Sequence, residues 1–92
     1  LIKQGHYQEQ TMLNKRFSER LNKELDSIGV PEATAERIEV LSKLIKIPKF
    51  KAEALLSGIT SPDDALLAIL AQELEVNADW LLGKSDSKSG AH

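Results

Sequence analysis

The chain has 92 residues, a net charge of −2, 41% hydrophobic residues, no cysteine and a single tryptophan. That length allows one domain, burying only about 60–65% of its unfolded surface, and the composition excludes a disulfide frame or a thiolate metal site. The longest apolar run, Ala65–Ala71, is far short of the ~20 residues that cross a bilayer, and no charged-then-apolar leader opens the chain, so a cytoplasmic location is expected.

Residues 1–12 are polar and without sustained periodicity, and are expected to form a loose extension. A first helix is predicted from about Leu13 to Ile28, because Leu13, Phe17, Leu21, Leu25 and Ile28 recur three or four apart and line one face. Gly29 supplies its stop, and Pro31 prevents its continuation. A short connection leads to a second helix over about Ala35–Ile45, with Thr34 as N-cap and Ile38, Leu41, Leu44 and Ile45 facing inward. Lys46 breaks that helix. Pro48 opens the third, about Pro48–Ser57, since a first turn does not require its missing N–H. Ala52, Leu55 and Leu56 share one side of it, Lys49, Lys51 and Glu53 are left outside, and Gly58 ends it. Ser61-Pro62-Asp63-Asp64 reads as an N-cap serine, a proline at the first position and acids in the first turn of a fourth helix. That helix runs through Leu66, Leu67, Leu70, Ala71 and Leu74. After a turn at Val76-Asn77, a short fifth helix holds Trp80, Leu81 and Leu82 before Gly83, with Trp80 in the core. Residues 84–92 are small and polar, like a flexible tail or linker. The expected fold is all-α, a compact bundle of five short helices over residues 13–83.

Charge is unevenly spread along this plan. Arg37–Lys51 holds Arg37, Lys43, Lys46, Lys49 and Lys51 against Glu39 alone, a net of +4. Glu53–Gly83 holds six acids and no base, a net of −6. A basic segment of this kind can lie along a phosphate backbone while the rest of the domain faces away.

Phe17-Ser18-Glu19-Arg20-Leu21, Val40-Leu41-Ser42 through Ile47, Ala54-Leu55-Leu56-Ser57-Gly58, Ser61-Pro62 with Leu66 and Leu67, and Val76 through Gly83 follow one another in a familiar order. Together they resemble the phage-repressor and Cro-like helix-turn-helix DNA-binding domains, the lambda-repressor-like fold, over roughly three-quarters of the chain. The chain departs from the pattern at Ser42, where alanine is usual, at Lys46, where the turn usually has glycine, and at Ile38, where a phosphate-gripping glutamine often stands. Lysine in that turn must either adopt a positive φ or widen the turn.

The resemblance implies that the third helix lies in the major groove. Lys49, Phe50 and Lys51 then stand at its front, Glu53 and Ala54 in the middle and Ser57 at the rear. Lys49 or Lys51 can donate to guanine, and Glu53 can accept from cytosine or remain a surface charge beside Lys49. Phe50 is expected to turn into the core, with contact to a thymine methyl as its alternative. Arg37, Lys43 and Lys46 are read as phosphate contacts, which position without specifying.

Enzymatic chemistry finds no footing. His6 and His92 sit in the ends, and there is no Cys nucleophile, Gly-rich phosphate loop or His/Cys metal spacing, so no catalytic residue, cofactor or metal is expected. The function expected is a sequence-specific transcriptional regulator of the repressor type. It would bind a double-stranded DNA operator as a homodimer, because one short helix reads too few bases alone. The alternative is the same fold used as a protein-interaction module, docking a toxin, a polymerase subunit or another regulator.

Overall fold

A computed structural model describes residues 2–86, with side chains from Asn14 onward. Leu1 and residues 87–92, and with them His92 and most of the expected tail, lie outside the described residues, as does the side chain of His6. The described chain is all-helical: α1 (Ile2–Ser27), α2 (Thr34–Leu44), α3 (Lys49–Ser57), α4 (Asp64–Leu74) and α5 (Ala78–Leu82).

The longest helix is the spine. Phe17, Leu21 and Leu25 of α1 are fully buried, and against them pack Leu41 of α2, Ala52 and Leu55 of α3, Leu70 of α4 and Leu81 of α5. Burying each such large apolar side chain is worth about 1.5–3 kcal/mol, which is what lets so short a chain hold a fixed core. Trp80 belongs to the same core, as expected. Its ring lies 4.8 Å under the Arg20 guanidinium. Arg20 also donates to the carbonyls of Trp80 and Ser85, and Arg16 donates to that of Gly83 at 3.1 Å. Two cations of α1 thus complement the negative carbonyl end of α5.

Among the described residues, all five helices stop in one way. A left-handed residue follows each helix: Gly29, Lys46, Gly58, Glu75 and Gly83. The next N–H then reaches back five positions, Val30 to Leu25, Ile47 to Ser42, Ile59 to Ala54, Val76 to Ala71 and Lys84 to Asp79. This satisfies carbonyls that the helix end would otherwise leave bare. It also turns Val30, Ile47 and Val76 back onto the core.

Several expectations change at the helix ends. α1 starts at Ile2 rather than near Leu13. Its early residues contain no proline, and once the packed half is nucleated, propagation through Gln, Glu and Met is favourable. It finishes at Ser27, so Ile28 leaves the buried face and is 56% exposed, while Val30 takes the inward place. Thr34 lies inside α2, whose N-cap position is Ala33, without a side-chain cap. Pro48 is the N-cap residue of α3 rather than its first residue. Ser61 does not cap α4; Asp63 does, its Oδ1 accepting from the Leu66 N–H at 2.8 Å. Asn77 caps α5, accepting from the N–H groups of Asp79 (2.7 Å) and Trp80 (3.3 Å).

Candidate nucleic-acid interface

The segment richest in positive charge folds as α2, a four-residue break and α3. At the break Lys46 takes φ 57°, so the chain reverses tightly and the lysine accepts the left-handed conformation instead of widening the turn. Ser42, where a small residue is needed, is buried, its Oγ donating to the Glu39 carbonyl at 2.8 Å. α3 is fixed from below by Ala52 and Leu55 and from behind by α1. There Asn22 Nδ2 donates to the Leu56 carbonyl at 3.1 Å, and Gly58 sits so close that a Cβ would meet Ser18 Oγ at 3.1 Å.

With that side buried, the opposite face of α3 is open. Lys49, Phe50, Lys51, Glu53 and Ser57 are all exposed. Phe50 is 74% exposed, so the expectation that it turns inward fails. At about 100° per residue, its position lies nearly opposite Ala52 and Leu55. The ring marks the crest of the helix, with Lys49 down one flank and Lys51 down the other. Ser57 Oγ donates to the Glu53 carbonyl at 2.9 Å.

Arg37 does not join this surface. It is 5% exposed, and all five of its N–H donors have acceptors within the protein. Nε donates to the Pro31 carbonyl (3.0 Å), and Nη1 to the Asn22 carbonyl (3.2 Å) and Oδ1 (3.1 Å). Nη2 donates to Asp26 Oδ1 (2.5 Å) and the Val30 carbonyl (2.9 Å). A guanidinium so engaged has nothing left for a phosphate. It is a strut that binds the 28–33 connection and α2 to α1.

Lys43 and Lys46 are exposed, as a phosphate contact requires. Lys43, however, pairs with Glu39 at 3.0 Å. That hydrogen bond and charge, with the further charge of Lys49, hold the Glu39 carboxyl below its ordinary pKa. Glu39 therefore sits electrically between two of the lysines and dulls both. The favourable Glu-then-Lys order four apart was the signal for this pairing. Arg37's role had no such signal.

A cleft of about 230 Å³ lies beside this face, lined by Asn22, Thr34, Ile38, Glu53, Leu56 and Ser57 among others. No group of His, Cys or acidic residues among the described residues can hold a metal ion, and no described helix is long and apolar enough to cross a membrane. No protein-family model, curated protein or solved structure matches this chain.

Proposed function

We propose that this protein is a sequence-specific DNA-binding transcriptional regulator of helix-turn-helix type, with α2 and its turn against the phosphate backbone and α3 in the major groove. One observation carries the reading. Lys43, Lys46, Lys49 and Lys51 are all exposed across the end of α2, the turn and the front of α3, while the far side of α3 is locked into the core. A rigid helix with cations on its flanks suits a groove walled by phosphates. The order of motifs, resembling phage repressors, supports the same reading, and binding as a homodimer to a two-fold operator follows from how few bases one nine-residue helix can reach.

Selection of bound duplexes from a random pool tests this. A preferred, two-fold related sequence is the expected outcome; no preferred sequence at low salt rejects it. Lys49→Ala and Lys51→Ala should each weaken binding, by about 1–3 kcal/mol where the lysine reads a base. A second reading, a protein-docking module, is favoured by the exposed Phe50 ring, because large apolar side chains on a surface often mark partner sites. Glu53 lies closer to the ring around the helix than either lysine, but across the face as a whole four exposed lysines outnumber Glu39 and Glu53. That charge arrangement favours DNA.

A further inference from the structure

Within about 40° of Phe50, the outward strip of α3 carries no charge. Counting about 100° per residue from Phe50, half-buried Ala54 lies about 40° to one side and exposed Ser57 about 20° to the other, so the three form one line along the crest. Lys49 and Lys51 stand roughly 100° away on opposite flanks, and Glu53 about 60° away. The helix, KFKAEALLS, contains no Arg, Asn or Gln, and its two lysines, the remaining side chains able to donate bidentately to guanine, stand off the crest. The hydroxyl of Ser57 donates back to its own helix, to the Glu53 carbonyl at 2.9 Å. What the crest can offer a base edge is an aromatic ring and a methyl group. In the major groove the matching feature is the C5-methyl of thymine.

We propose that Phe50 and Ala54 read thymine methyl groups, so that the operator half-site carries thymines within about two base-pair steps of each other, the span of one helical turn. This rests on the groove-binding reading above. The flanking lysines then supply affinity and orientation, and the apolar crest supplies the sequence preference.

The test uses the whole chain and the duplex recovered by selection, with thymines replaced one at a time by uracil, which removes the C5-methyl and leaves pairing intact. At one or two positions per half-site, affinity should fall about fourfold, the equilibrium equivalent of one buried methyl. In Phe50→Ala that penalty should shrink or vanish at one position, with the salt dependence unchanged. This variant keeps its fold, because the ring is mostly in solvent and alanine is the better helix former. Lys51→Ala should weaken thymine and uracil duplexes alike. Specific binding that is indifferent to uracil everywhere, or uracil penalties that survive undiminished at every position in Phe50→Ala, overturns the assignment of the crest. A preference for single strands lost in Phe50→Ala also overturns it, making the ring a stacking platform instead. Absence of any preferred sequence overturns the groove-binding reading itself.

Discussion

Two charged residues of the basic segment show why counting charges is not the same as locating them. Arg37 contributes to the +4 of residues 37–51 but is enclosed, with its fork divided among Asn22, Asp26, Val30 and Pro31. Replacing it with alanine leaves several partly buried carbonyls without donors and should cost about 2–3 kcal/mol in urea unfolding. Arg37→Lys keeps the charge but loses the fork, and should fall between the two. Nothing near it in sequence announces this, since its side-chain partners lie 11 and 15 positions upstream. Glu39 has the opposite role, exposed and working on its neighbours. Glu39→Gln should strengthen DNA binding and steepen its salt dependence by releasing Lys43 and Lys49. Because the carboxyl's pKa is lowered on folding, its pairing supports stability above the ordinary carboxylate range and is lost as pH falls through the depressed value. Binding by the native protein should therefore approach that of Glu39→Gln in acid, which a titration of affinity against pH reads directly.

At the scale of the helix, most of the plan was legible and the ends were not. Apolar residues three and four apart fixed the inner faces of α1, α2 and α4, because helical geometry leaves such a pattern only one direction to point. Phe50 was misread for a different reason. The general burial of aromatics argued inward, while Ala52 and Leu55 in the same helix already assigned the inner face elsewhere. The start of α4 was misplaced because two capping residues compete there. Ser61 and Asp63 can each cap, and the aspartate wins with an ionised acceptor aimed at Leu66. Asp63→Ala should cost about 1 kcal/mol in thermal or urea unfolding, and Ser61→Ala less than about 0.5 kcal/mol. An equal loss from both would mean that the serine shares the cap.

For the molecule as a whole, the net charge of −2 conceals a lysine-only electrostatic face set on an acidic body. Four exposed lysines, without Arg37, limit the dependence of log K on log salt to a slope of about −3.6 per protomer. A slope near −4.5 would require a fifth cation, such as the exposed Lys15 or Lys23, and would mean that the contact surface extends beyond α2 and α3. The other large-scale property is closure. α1 meets α5 through Arg16, Arg20 and Trp80, bringing together residues 60 to 67 positions apart. The left-handed stops bear on how that closure is reached. Each corner is written within about six consecutive residues, so a reversal can form before any distant neighbour arrives. Folding should then be quick for a chain of this length, with corners assembling first and the α1–α5 seam sealing last. Lesions at the seam should show mainly as faster opening, while lesions at the corners should show as slower assembly.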